Sequence, residues 1–455
     1  MYNDNIGCIA MLDISGSMQG ETVELVKLDA KAFVDKFYDG DQMGVNAFHS
    51  KAKWIYPTGV SPHIVTVNVE ESGGVETSRE KDEARAAIDR IFAGGRTNIA
   101  SALTLANEMI KTSDAGKKAF FLFSDGYHNE GQNPCEVLGP EPPIYIGALG
   151  NWIKEEYFKE LKDKNKKSRI YTRPNPYDVE MMFNEIRSGC VEGMLLCNQY
   201  SQYRKGTDYL IREFLVPADS SKTQISVVWT NQKYRYISSG FARNCFQALL
   251  IDPEGRTTSL KPGIVRDGYC IFNVEHMMPG KWKCLIQYAG LGDDMGGTIG
   301  AVSLDCKTKI DITAPGVSER NQPVSFRLQA ECEKEILEGL TVSAVIRKPL
   351  ASAEDALNRL ENQIESLKFA ELEGGKLDDI DKLNLLYLSQ PEKYPEFGHQ
   401  RQFGAARFSK DGTYEYILEK PEVPGVYEAE FTVEGINQVT GQPFSCVKSE
   451  SIWIG

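Results

Sequence analysis

Met11-Leu12-Asp13-Ile14-Ser15-Gly16-Ser17-Met18 follows an uninterrupted apolar run from Ile6, so a buried strand ends where one carboxylate and two hydroxyls converge. Two later stretches supply matching oxygen groups. Thr97 lies in Gly94-Gly95-Arg96-Thr97-Asn98-Ile99, and Asp125 closes the apolar strand Phe120-Phe121-Leu122-Phe123-Ser124. Asp13, Ser15, Ser17, Thr97 and Asp125 are therefore five candidate ligands, from three loops, for one hard cation. Oxygen-only coordination favours Mg²⁺, with Mn²⁺ or Ca²⁺ as substitutes, over zinc and copper, which prefer nitrogen and sulfur. Neutral hydroxyls leave such a cation short of negative charge, and a helix beginning near Met18 would add the positive end of its dipole toward an incoming carboxylate.

Around these loops the first 190 residues alternate strands with helices, which predicts a mostly parallel sheet covered on both faces. Glu21 to Tyr38 carries Val26, Ala30, Phe33, Val34 and Phe37 on one helical stripe. Met43 to Phe48 and Ala52 to Tyr56 are separated only by His49-Ser50-Lys51, too short for a parallel crossover, so the second of them is expected as an antiparallel edge. Residues 58 to 80 break the pattern with Pro, Gly and Ser. Helices are expected at Lys81 to Phe92, Ile99 to Lys111, Asn151 to Asn165 and Tyr177 to Ser188, and buried strands at Lys118 to Phe123 and Pro143 to Leu149. In an open α/β sheet ligands bind beyond the carboxyl ends of strands, where Asp13 and Asp125 both fall.

Asp-x-Ser-x-Ser, then Gly-Gly-x-Thr-Asn, then Ser-Asp-Gly after a strand resembles the von Willebrand factor A domain with its metal-ion-dependent adhesion site. The resemblance covers roughly residues 1 to 190. It implies a Rossmann-like α/β fold in which Ser15, Ser17 and Thr97 touch the metal or its waters and Asp13 and Asp125 act largely through water. It also implies that a Glu or Asp of a protein partner completes the shell.

From about residue 191 the texture changes to short alternating strands with turn signals, which predicts two β-sandwich domains, 191–313 and 314–455. A partial repeat links them. Asp267-Gly268-Tyr269 precedes Pro279-Gly280-Lys281-Trp282 much as Asp411-Gly412-Thr413-Tyr414 precedes Pro424-Gly425-Val426-Tyr427. Val324 to Cys332 and Tyr427 to Val433 alternate apolar with polar residues, so one buried and one wet face is expected for each. Residues 351–388, with Leu357, Leu360, Ile364 and Leu367 at helical spacing, read as an inserted helical hairpin packed on its own sandwich. An A domain followed by two sandwiches is similar to the calcium-activated chloride channel regulator family and to bacterial proteins of related layout. His-Glu-x-x-His is missing here, so self-cleavage does not carry over.

Apolar content of 41% and charged content of 25% over 455 residues fit a multidomain globular chain. A net charge of −13 and the lack of basic runs argue against nucleic acid as a partner. No stretch approaches the roughly 20 apolar residues of a membrane span. On the sequence as given the expected location is cytoplasmic, or the cell surface or outside if a leader has been trimmed. Ten cysteines are scattered singly without a Cys-x-x-Cys pair and read mostly as small core hydrophobes, with pairing left open.

The function expected from these features is non-enzymatic: capture of a partner's acidic side chain at the metal. A metal-assisted hydrolase is the alternative, with His128 as the sequence-local candidate base, although a lone loop histidine more often braces its loop. A third reading gives the binding role to the sandwiches and makes the A domain an assembly contact.

Overall fold

The computed structural model describes residues 5–124, 128, 130–150, 152–153, 155–173, 179–191, 193–206, 209–229, 234–240, 244–289, 291, 294–366, 379–390 and 393–455. The first region runs β1 (Ile6–Asp13), α1 (Glu21–Asp35), β2 (Gln42–Phe48), β3 (Ala52–Tyr56), β4 (Val65–Thr66), β5 (Glu70–Ser72), β6 (Val75–Thr77), α2 (Arg79–Asp89) and α3 (Ile99–Ile110). It continues with β7 (Lys117–Ser124), α4 (Pro134–Val137), β8 (Ile144–Leu149), α5 (Glu155–Lys164), β9 (Arg169–Arg173) and α6 (Val179–Val191). The main sheet has the order β3-β2-β1-β7-β8-β9, parallel except that β3 and the two-residue β4 pair antiparallel with β2.

β1 is apolar without interruption because both of its faces are covered. Cys8, Ala10 and Leu12 share a cluster with Phe33 of α1 and Phe183 of α6, while Ile9 and Met11 share another with Leu103, Ala106 and Met109 of α3. The helix expected from near Met18 begins at Glu21. A 3₁₀ turn, Gly16–Met18, comes first, and Gly20 at φ +84° separates the two. Residues 58–80, read as irregular, contain the β5–β6 hairpin.

The remaining strands form a wide sheet and two smaller ones. Among the described residues the wide sheet runs Ile264–Arg266, Tyr269–Glu275, Lys222–Trp229, Met295–Ser303, Met194–Tyr203, Gln442–Ile454, Gly425–Asn437, Thr341–Pro349 and His399–Ala405. Its two halves join at the pair Leu195↔Val447. One hydrophobic cluster links the wide sheet to both small sheets, with Trp229, Phe246 and Trp282 at one end and Phe326, Tyr414 and Phe431 at the other. The sequence repeat is structural. Trp282 Nε1–H donates to the Met278 carbonyl at 2.8 Å and the Tyr427 hydroxyl to the Val423 carbonyl at 2.9 Å, each reaching four residues back. Gly280 and Gly425, at φ +127° and +139°, both sit where a Cβ would press on a proline, Pro253 and Pro349.

The wide sheet also carries the first domain. In Lys222–Trp229, Ile225, Val227 and Trp229 enter the shared core. The intervening Gln224, Ser226 and Val228 meet the first domain instead. Gln224 donates to the Lys36 carbonyl at 3.0 Å, Ser226 to Asn184 at 3.1 Å, and Val228 packs with Leu28 and Ala32 of α1. The Lys36–Glu180 ion pair is buried at this seam, and the Tyr269 hydroxyl donates to the buried Asp35 at 2.7 Å. The wet face expected opposite Tyr427 and Ala429 is partly covered for the same reason, since Glu428 accepts hydrogen bonds from Thr172 of β9.

The insert forms helices α7 (Ala353–Ser366) and α8 (Asp379–Ser389); Leu367 lies outside the described residues. Its apolar side packs around Trp152 of the first domain, with Leu360, Ile364, Leu383 and Tyr387, rather than only on its own sheets. Asn384 Nδ2–H donates to the Trp152 carbonyl at 3.0 Å. Among the described residues no helix is long and apolar enough to cross a membrane. All ten cysteines are buried and stand as thiols rather than disulfides.

Candidate metal centre

Asp13 is the last residue of β1 and Ser124 the last of β7, and these strands are parallel neighbours with Leu12 paired to Phe123. Their carboxyl ends therefore open on the same edge of the sheet. Asp13 is fully buried there: Oδ1 accepts the Ser15 backbone N–H at 2.8 Å and Oδ2 accepts the Ser124 hydroxyl at 2.6 Å. The first bond folds the chain back over the strand end, the local turn that short acidic side chains favour. It brings Ser15 Oγ within 3.0 Å of Ser17 Oγ.

The Thr97 loop is laced to this turn through its backbone. The Gly94 N–H donates to the Ile14 carbonyl at 2.7 Å and the Gly16 N–H to the Gly95 carbonyl at 2.9 Å. Asn98 anchors the other side of the loop: its N–H donates to the His49 carbonyl at 2.9 Å, while its side chain caps α3 by accepting the Ser101 N–H at 2.9 Å. Thr97 is buried, and its carbonyl accepts the Glu130 N–H at 3.2 Å. Asp125 lies outside the described residues; the strand that leads to it, through Ser124, does not.

His128 is buried, and its Nδ1 accepts the Ile99 N–H at 3.2 Å. Its carbonyl accepts the Tyr157 hydroxyl at 3.4 Å, and the two rings meet edge to face at 6.3 Å. The imidazole thus ties the segment after β7 to the first turn of α3 and to α5.

Four of the five ligands expected from sequence, Asp13, Ser15, Ser17 and Thr97, therefore sit on loops bonded to one another. The second layer was not foreseen. Ser124 was readable as the polar residue closing an apolar run, and Asn98 as a helix cap one residue before Ile99. Among the described residues no three His, Cys, Asp or Glu side chains gather as a metal cluster; the described part of the candidate centre is the Asp13 carboxylate among hydroxyls.

Residues 9–172 match the family model of the von Willebrand factor type A domain, so the N-terminal region of the chain is such a domain. A 131-residue stretch is 32% identical to uncharacterized protein sll0103 of Synechocystis, covering 28% of this chain and 27% of that protein. A 132-residue stretch is 26% identical to the human voltage-dependent calcium channel subunit alpha-2/delta-2, covering 28% of this chain and 10% of that one. The chain thus spans only about a quarter and a tenth of the length of these relatives. Among solved structures, a von Willebrand factor type A protein from Catenulispora acidiphila aligns at 14% identity with a TM-score of 0.34, covering 73% of this chain and 64% of that one. Three N-terminal domains of the type V pili tip protein Mfa5 from Porphyromonas gingivalis align at 8% identity with a TM-score of 0.24, covering 98% and 92%.

Proposed function

We propose that the loops at Asp13, Ser15, Ser17 and Thr97, together with Asp125, hold Mg²⁺ and that the ion captures a Glu or Asp side chain of a protein partner. The observation that carries this reading is the pair of serine hydroxyls held 3.0 Å apart by an anchored Asp13. Adjacent oxygens of an octahedral Mg²⁺ shell, with ligands at about 2.0–2.1 Å, are about 2.9 Å apart. The donor set is all oxygen, which suits Mg²⁺ or Mn²⁺. Bound there, the cation supplies positive charge on an otherwise acidic molecule, and this chain's part is to position neutral ligands and leave a place for an outside acid.

A non-catalytic role is favoured by His128. A general base needs its nitrogen free toward the substrate, whereas Nδ1 here accepts a backbone bond inside the fold. The strand-rich region reads as two modules, 191–313 and 314–455. Its support is the repeated Trp282 and Tyr427 corners, the first on a small sheet and the second on the wide one, both in the shared core.

The test is calorimetric titration of Mg²⁺ into chelator-treated protein, then capture of partners from the source organism with Mg²⁺ or EDTA. One saturable site and EDTA-sensitive capture are expected. Absence of Mg²⁺ binding to the intact chain overturns the proposal.

A further inference from the structure

Among the described residues the wide sheet ends on the strand His399–Ala405, which pairs antiparallel with Thr341–Pro349 in an unbroken register. The phase of that ladder is fixed at both ends. The Leu350 N–H donates to the Gly398 carbonyl at 3.0 Å and the Ala406 N–H to the Val342 carbonyl at 2.8 Å, so the even-numbered residues bond the neighbouring strand. Arg401, Phe403 and Ala405 therefore turn their N–H and C=O groups off the sheet.

The side chains alternate as well. Gln402 Nε2–H donates to the Tyr416 hydroxyl of the small sheet beneath at 3.3 Å, and a Cβ on Gly404 would press on the same ring, which puts Arg401 and Phe403 on the outer face. Phe403 is 74% exposed. After Ala406 the chain crosses to the edge of the small sheet, where Phe408 is 48% exposed, so both layers end on an uncovered aromatic. Open edges are ordinarily guarded by shortness, a Lys, a Pro or a bulge, and the opposite end of the wide sheet, Ile264–Arg266, has only three residues. His399–Ala405 has seven, with no Lys, no Pro and no bulge. From His399 to Phe408 there is no acidic residue, and the exposed Arg401 has no ion pair among the described residues.

We propose that a second copy of this chain completes the edge, the two His399–Ala405 strands running antiparallel about a two-fold axis at Gln402. That register sets Arg401 of each copy opposite Phe403 of the other. Both are positions whose backbone groups point outward, so the ladder and the side chains agree on one pairing. Each guanidinium then lies against an exposed ring as a cation–π pair. An axis at Arg401 would oppose like charges, and one at Phe403 would leave Arg401 opposite Ala405.

Sedimentation equilibrium of the full chain, in EDTA and again in Mg²⁺, tests this apart from the metal reading. A reversible dimer is expected in both. Phe403→Arg, which sets guanidinium against guanidinium, should weaken it at least tenfold, and the exchange of Arg401→Phe with Phe403→Arg should restore it to within threefold of wild type. Both positions are exposed, so the variants, diluted to monomer, should melt within a few degrees of wild type. A chain that stays monomeric through the high-micromolar range, a dimer indifferent to Phe403→Arg, or an exchange variant that fails to restore it overturns the proposal.

Discussion

Ser124 donates its hydroxyl to Asp13 Oδ2 at 2.6 Å, joining the ends of two parallel strands 111 residues apart in sequence. Asp13 therefore closes the sheet edge as well as shaping the Ser15 turn. Asp13→Ala should abolish Mg²⁺ binding and also destabilise the fold by about 1–3 kcal/mol, the cost of leaving two buried donors unpaired. Calorimetry and thermal melting check the two effects. Ser15→Ala separates them, with Mg²⁺ affinity falling at least tenfold and melting within a few degrees of wild type.

His128→Ala should lower stability by about 1–2 kcal/mol, because it removes the acceptor for the Ile99 N–H. It should leave ester and phosphate turnover in Mg²⁺ at the buffer rate, as in wild type. Turnover by wild type that this variant loses would move the protein into the hydrolase class.

Lys81 is buried at the C-terminal end of α1, its Nζ donating to the Asp35 carbonyl at 3.0 Å, and burial pushes its pKa down to about 8. An unfolded lysine titrates near 10.4, so between these values the unfolded chain binds more protons and stability rises with pH. The penalty of the buried charge is present below pH 8 and relieved toward pH 10. Measured against Lys81→Met, wild type should gain on the order of 1–3 kcal/mol between pH 7.5 and 10. Chemical denaturation at each pH gives the difference; a difference that stays flat, or falls, would show that the lysine is not desolvated.

Trp152→Ala should cost about 3–5 kcal/mol, as for a large aromatic removed from a packed cluster, and should loosen α7 and α8 first. Hydrogen exchange across Ala353–Ser366 would report it. Asn384→Ala, which strips the bonds to the Trp152 carbonyl and from the Trp152 N–H, should cost about 1–2 kcal/mol.

Much of the loop geometry around the candidate site was legible because it depends on local grammar. An apolar run ending in Asp13 fixes a strand end, and Ser15 and Ser17 follow within the turn that Asp13 itself caps. The antiparallel edge at Ala52–Tyr56 was equally plain from a three-residue link. What escaped is non-local. β9 is five residues, Arg169–Arg173, too short to show a period, and it forms because β8 offers a parallel partner. Gln224 and Ser226 look like a solvent face in isolation; only the seated first domain makes them buried. Trp152 gave no hint that its contacts lie more than 200 residues away on α8.

The seam along Gln224, Ser226 and Tyr269 bears on how this protein can be dissected. Cutting after Val191 would strand Lys36, Asp35 and α6 against water with their far-side contacts gone, so a shortened A domain would be a different object from the native one. The chain should melt in one cooperative step. Any force or ligand that pries at the strand-rich half would then be felt at the serine turn, without a dedicated wire between them.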